Sequence, residues 1–240
     1  MMEQQPEQHQ RVPVLFGSQT GTAQDTAGYV SRCLSRRHIA SSAVAMDSFQ
    51  LAQLLELPVA IFVAATTGQG EEPDNMKKTW RFLLRRSLPA NSLAHLRFSV
   101  FGLGDSTYPK FNFVAKKLFK RLLSLGAQPL LPIGLADDQH PLGVDGALAP
   151  WMETLLTSLE PVFPAQFAQQ PIPSTTLLPA VAPVVVADNQ EPASSAALNE
   201  RPHSQDEPSR KAPARVTLKQ NTRLTPASHF QDVRCVCEGI

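Results

Sequence analysis

The sequence predicts an α/β fold, a doubly wound parallel sheet with helices on both faces, and three observations lead there. Short apolar runs alternate with amphipathic stretches from residue 12 to about residue 160. The most apolar run, VAIFVAA at residues 59–65, contains no polar residue, as a central parallel strand covered on both faces requires. Loops rich in glycine, serine and threonine follow several of these runs, where the ligand crevice of such a sheet opens.

Residues 12–16 read as the first strand. Residues 22–35 then place Ala23, Ala27, Val30 and Leu34 on one helical face. A weak strand at 43–46 and a helical turn at 51–57 precede the central strand at 59–65. Residues 77–86 read as a helix and FSVF at 98–101 as the next buried strand. Residues 112–125 turn Ala115, Leu118, Phe119, Leu122 and Leu123 inward and Lys116, Lys117, Lys120 and Arg121 toward water. A short last strand at 128–132 is followed by a closing helix at 148–159, with Leu148, Met152, Leu155 and Leu159 on its apolar side. Trp80 and Trp151 fall on helices and read as core. The folded domain is therefore expected over residues 12–162.

Composition sets the outer limits. Ten of the 21 prolines lie between Pro161 and Pro213, and no glycine occurs between Gly146 and Gly239. Proline at this density removes backbone donors and fixes φ, so 163–214 is expected to be an extended linker. Residues 215–240 look like the start of a second domain. The first eleven residues are polar, lack the apolar core of a signal peptide, and are expected to be disordered. No apolar run approaches the roughly 20 residues needed to span a bilayer. A formal net charge of +1 gives no electrostatic case for nucleic acid or an anionic membrane. Three cysteines are too few for a disulfide framework and suit a reducing compartment. A cytoplasmic, soluble monomer that binds neither nucleic acid nor membrane is expected. Cys235 and Cys237 alternate along one strand, but no further ligands cluster with them, so no metal site is assigned.

Three loops carry the candidate chemistry. The first, Gly17-Ser18-Gln19-Thr20-Gly21-Thr22, joins a buried strand to a helix. Small residues let the backbone wrap an anion, while hydroxyls, amides and the helix dipole favour its charge. No lysine follows the glycine, which disfavours a nucleoside triphosphate. Taken alone, the loop is equally an ordinary turn capped by threonine. The second, Ala65-Thr66-Thr67-Gly68-Gln69-Gly70-Glu71, suits backbone approach to a flat ring edge, or is simply a glycine-rich connection. The third runs from Leu103 through Gly104, Asp105, Ser106, Thr107, Tyr108, Pro109, Lys110 and Phe111 to Asn112. Its Tyr108 is placed to stack on a planar ring, although an isolated tyrosine more often caps a sheet edge. Asp137 and Asp138 follow the last strand at the same rim. With Glu71, Glu72 and Asp74 they form either an acidic docking surface or solvated loop tips.

Taken together, SQTGTA, ATTGQGE with PDNM, and LGDSTYPKFN resemble the FMN-binding flavodoxin-like domain of the diflavin reductases. The nearest resemblance is to the branch that serves cytosolic iron–sulfur cluster assembly. The resemblance covers residues 12 to about 160 and implies a five-stranded sheet of order 2-1-3-4-5. It also implies that Ser18, Gln19, Thr20, Gly21, Thr22 and Ala23 hold the FMN phosphate. Ala65, Thr66, Thr67 and Gly68 would line one ring edge, and Leu103 through Asn112 the other wall, with Tyr108 stacking. Asp138 would sit near the ribityl chain or ring. Electrons in that family pass from NADPH to FAD to FMN and on to an acceptor, here an iron–sulfur protein of the anamorsin type. A weaker piece, NTRLTPASHFQDVR at 221–234, resembles the entry strand of the family's FAD-binding domain. The FAD and NADPH sites themselves are not expected within these 240 residues, so NADPH turnover by the chain alone is not expected either.

One departure stands out. The P450 reductases of that family carry a flavin-stacking tyrosine where this chain has Thr67, which implies weaker FMN retention or a shifted potential. No catalytic residue is assigned, because electron transfer needs positioning rather than acid–base chemistry. Three rivals remain. A receiver-type signalling module lacks its acidic pair after the first strand, and a nucleotide-binding regulator lacks its lysine. A non-redox protein that binds the acceptor without supplying electrons would be separated by flavin content.

Overall fold

The computed structural model describes residues 11–178, 217–223 and 234–239. Strands β1 (Val12–Gly17), β2 (Ser41–Ala45), β3 (Val59–Ala65) and β4 (Arg97–Gly104) pair in parallel in the order β2-β1-β3-β4. The fifth, edge position is shared by two short pieces, β5 (Gln128–Pro129) and β6 (Gly134–Asp137), both parallel to β4. The order 2-1-3-4-5 is thus as expected, with the last strand split. Pro132 explains the break: Gln128 and Leu130 donate their N–H groups to the Leu96 and Phe98 carbonyls, and Pro132, next on that side, has no N–H to continue the ladder.

Helices α1 (Thr22–Arg36) and α5 (Asp145–Leu159) cover one face of the sheet. The other carries α2 (Leu51–Leu54), α3 (Lys77–Leu83) and α4 (Phe113–Ser124). Alternation along β3 serves both layers: Val59, Ile61 and Val63 pack under α1, while Ala60, Phe62 and Ala64 pack toward α4. Phe62, Phe98 and Phe101 are completely buried, and truncating one to alanine would cost about 3–5 kcal/mol. The sheet therefore provides a rigid platform, and the loops at its carboxyl end inherit that rigidity.

The domain continues past residue 162. Phe163 is buried in the α1–α5 layer, and α6 (Pro164–Phe167) follows it. Residues 168–178 lie along the end of α1. The Arg36 guanidinium donates to the carbonyls of Pro173 and Thr176, and the Ile172 N–H donates to the Arg36 carbonyl at 2.8 Å. Proline removes donors but leaves every carbonyl as an acceptor, which is what a guanidinium needs. The first part of the expected linker is thus strapped to the domain, while 179–214 and the first ten residues fall outside the described residues. Separately, β7 (Thr217–Arg223) and β8 (Arg234–Gly239) form an antiparallel pair. Of the expected entry piece at 221–234, residues 221–223 end β7 and Arg234 opens β8, while 224–233 lie outside the described residues.

Candidate functional site

A cleft of about 570 Å³ opens at the carboxyl ends of β1, β3, β4 and β6. Ser18, Thr20 and Thr22 bring three hydroxyls to one end of it. They sit at the N-terminus of α1, which has no side-chain cap, so its first amides remain available to a ligand. Gly21 adopts φ +108°, a backbone state that side chains resist, and this turns the loop into the helix. The Gly21 N–H donates to Ser18 Oγ at 3.1 Å, and the Ser18 N–H donates to Asn75 Oδ1 at 2.8 Å.

Gln19 lies outside the lining and acts as a tie. Its Nε2 donates to Asp74 Oδ2 at 3.1 Å, and its Oε1 accepts the Asp74 N–H at 3.0 Å. The Lys77 ammonium, with Gln19 behind it, holds the Asp74 carboxyl below its ordinary value. Asp74, expected in an acidic rim or a solvated loop tip, instead anchors the first loop, and Asn75 takes an anchoring role that the sequence did not assign, because both touch the loop and not the cleft.

The second loop contributes Ala65, Thr66 and Gly68, together with Gln69 and Gly70, whose lining positions had not been assigned. Thr66 ties it down: its N–H donates to the Leu103 carbonyl at 3.2 Å, and its Oγ1 accepts the Val114 N–H at 3.3 Å. Thr67 does not reach the cleft. It is folded into a small hairpin with Glu71, its N–H and hydroxyl both donating to the Glu71 carbonyl at 3.0 and 3.1 Å.

The third loop contributes Leu103, Gly104, Asp105, Tyr108, Pro109, Lys110, Phe111 and Asn112. Tyr108 is 61% exposed, a ring with an open face beside the cleft. Ser106 and Thr107 lie outside the lining and fold the loop. The Ser106 N–H donates to Asp137 Oδ1 at 2.9 Å, and the Thr107 N–H and hydroxyl donate to Asp105 Oδ1 at 2.9 and 2.6 Å. Donation from Thr107 lowers the Asp105 carboxyl, and donation from Ser106 lowers that of Asp137.

Asn112 anchors this loop. It is fully buried at φ +53° and precedes α4, and its Nδ2 donates to the Ala136 carbonyl at 2.8 Å. Gly102 and Gly104 make room for it. A Cβ at Gly102 would stand 2.6 Å from Asn112 Oδ1, and one at Gly104 would stand 2.8 Å from the Asn112 nitrogen. Asp138 lines the cleft and donates its N–H to the Gly104 carbonyl at 2.9 Å, while Val144 adds an apolar contact that had not been assigned.

Of the residues singled out beforehand, Gln19, Gly21, Ala23, Thr67, Ser106 and Thr107 are not in the lining. Ala23, in the first turn of α1, is buried against the sheet in the core, and the others shape or tie the loops. The cleft is polarised. One end offers neutral hydroxyls and an uncapped helix N-terminus. The remainder sets Ala65, Leu103, Tyr108, Pro109, Phe111 and Val144 beside the charged Asp105, Lys110 and Asp138. This donor set fits a flat aromatic ring system carrying a phosphate monoester, which is the shape of FMN.

Comparison with known proteins agrees. Residues 14–151 match the family model described as Flavodoxin. The chain is 47% identical over 226 residues to NADPH-dependent diflavin oxidoreductase 1 of Danio rerio, covering 93% of this chain and 37% of that protein. It is also 47% identical over 166 residues to the protein of the same name from Arabidopsis thaliana, covering 69% of this chain and 27% of that protein. The chain thus spans between 27% and 37% of the length of these relatives. Among solved structures, a cysteine-to-alanine mutant of flavodoxin from Pseudomonas aeruginosa superposes with TM-score 0.52 at 28% identity, covering 62% of this chain and 99% of that one. With the family match extending over more than half of its length, the chain belongs to the flavodoxin family, whose domains bind FMN.

Proposed function

We propose that this chain is the FMN-carrying, electron-transferring part of an NADPH-dependent diflavin oxidoreductase. The observation that carries the reading is the polarised cleft: an uncapped helix N-terminus with three hydroxyls at one end, and along the rest apolar and aromatic residues with the charged Asp105, Lys110 and Asp138 among them. Ser18, Thr20 and Thr22 hold the phosphate together with the first amides of α1. Tyr108 covers one side of the ring. Ala65, Leu103 and Val144 exclude water from it, and Asp138 lies at its edge. Bound FMN supplies a centre that takes up an electron pair and gives electrons up singly. The protein's contribution is to hold it rigidly at the surface.

The names of the relatives support an NADPH-fed flavin chain, with electrons reaching this domain through FAD. The proposed acceptor is an iron–sulfur protein of the anamorsin type, serving cytosolic cluster assembly in the cytoplasm. Among the described residues no helix is long and apolar enough to cross a membrane. Thr67 leaves one wall without an aromatic cover, so retention of FMN is expected to be weaker than where a tyrosine stands there. The visible absorption spectrum of the desalted protein, with and without added FMN, tests the reading. Flavin bands that stay with the protein support it. A colourless protein that takes up no FMN would sink it in favour of a non-redox binding role.

A further inference from the structure

The near-zero net charge conceals a strong local asymmetry. Between residues 75 and 136 the sequence holds eleven lysines and arginines and a single carboxylate, Asp105. The fold gathers most of these cations on one face, because α3 and α4 lie side by side on the same layer of the sheet. Arg121 Nε donates to the Leu83 carbonyl at 2.6 Å, joining the end of α3 to the last turns of α4. Lys117 sits over the rings of Trp80 and Phe113, at 5.3 and 4.9 Å from their centroids.

Two cations on this side are paired: Lys77 with Asp74, and Lys117 with Glu72. Those pairs also consume two of the carboxylates that a purely acidic docking rim would need. Lys78, Arg81, Arg85, Arg86 and Lys120 are exposed and in no ion pair among the described residues. Apolar side chains stand among them. Leu84 is 49% exposed, Leu123 42% and Phe113 39%. Five or more unpaired cations with exposed leucines between them repel one another and present uncovered apolar surface, an arrangement relieved by a partner carrying both carboxylates and apolar side chains.

We propose that the α3–α4 face is a docking surface for an acidic polypeptide with interspersed apolar residues. The surface begins at the cleft, where Lys110 lines the opening and Phe113 follows, so a partner lying along it reaches the site already described. Its service as the dock of an electron acceptor rests on the flavin reading. Its affinity for acidic chains does not. Nucleic acid would use the cations but not Leu84 and Leu123. A membrane would need a helix free to insert, whereas α3 and α4 commit their apolar sides to the sheet.

The test uses the full chain and a fluorescein-labelled peptide of repeated Glu-Glu-Leu triplets, read by anisotropy and by tryptophan emission. Lys78→Glu, Arg81→Glu, Arg86→Glu and Lys120→Glu are combined, with the corresponding glutamine set as a milder second variant. None of these positions lines the cleft. Binding by the wild type is expected to weaken severalfold when salt is raised from about 50 to about 300 mM. It should weaken at least about tenfold in the glutamate variant and by an intermediate factor in the glutamine variant. Flavin content should be equal in all three, which separates loss of docking from loss of the cofactor. Equal peptide affinity in wild type and the glutamine variant would overturn the proposal. So would tighter binding of the wild type to duplex DNA or to phosphatidylserine vesicles than to the peptide.

Discussion

The first and third loops line the same cleft but are held by different chemistry. The first, at the end proposed to hold the phosphate, is fastened through side-chain amides: that of Asn75 accepts from the Ser18 N–H, and that of Gln19 pairs with Asp74. Asp74 itself is turned onto Gln19 and Lys77, its charge matched by an ammonium. The third loop is fastened by carboxylates, Asp105 gripping Thr107 and Asp137 gripping Ser106, and by the buried Asn112. A dianion at a helix N-terminus gains from neutral donors and loses from any facing carboxylate. Under the proposed flavin reading, amide anchoring suits the loop that would hold the phosphate, and carboxylate anchoring falls to the loop that would face the ring.

The sharpest way to break this comparison is to put a carboxylate where the first loop excludes one. Two like charges about 4 Å apart in a partly shielded site repel by about 4 kcal/mol. Thr20→Asp is therefore expected to lower FMN affinity by about 100-fold or more, read as flavin absorbance lost on desalting. Flavin retained at the wild-type level would remove the phosphate from this loop.

The next effect concerns the anchor of the third loop. Asn112→Ala forfeits both the tolerance for φ +53° and the bond to the Ala136 carbonyl. It should cost about 2–3 kcal/mol of stability, measured as a shift of the urea midpoint. Asn112→Gly accommodates the backbone but not the bond, so it should recover part of that loss. An alanine variant as stable as the wild type would show that the third loop does not depend on this residue.

A smaller change is expected at the amide tie of the first loop. Asn75→Ala removes the acceptor of the Ser18 N–H and should weaken FMN binding roughly fivefold, about 1 kcal/mol. Thermal stability should barely change, since Asn75 buttresses a ligand loop rather than the core. A loss of stability as large as that from Asn112→Ala would erase the distinction between the two anchors.

The smallest effect is one of pH. Hydrogen bonds from Thr107 and Ser106 hold the Asp105 and Asp137 carboxyls below the ordinary value of 3.8. Their stabilisation is fully present above that value and is lost as pH falls through the depressed folded values. The third loop should therefore release its grip in acid. Flavin fluorescence followed from about pH 4 down to about pH 2 should rise more steeply for the wild type than for an Asp105→Asn, Asp137→Asn double variant. Identical profiles would remove the carboxylates from the loop's stability.

The sequence by itself determined the alternation of strands and helices, the central strand at 59–65, and the three loops that line the cleft. Those signals are local: an all-apolar run, a 3.6-residue period, and small residues at a strand's end are each legible within about ten neighbours. It missed the split of the edge strand, where Pro132 lacks the N–H that would continue the pairing with β4. It also missed the strap over α1, because the composition of residues 163–178 reports the loss of donors and not the acceptors that Arg36 finds. Thr67 appeared to belong to the cleft by its place in a motif, yet its hairpin with Glu71 turns it aside. Asn75, Gln69, Gly70 and Val144 acquired their roles only when distant segments met, as did the charged α3–α4 face, whose cations cancel against acids elsewhere in any whole-chain count. Local pattern specifies which groups a loop offers. Only tertiary structure decides which of them reach the ligand, because anchoring bonds such as Ser18 to Asn75 span 57 residues of chain.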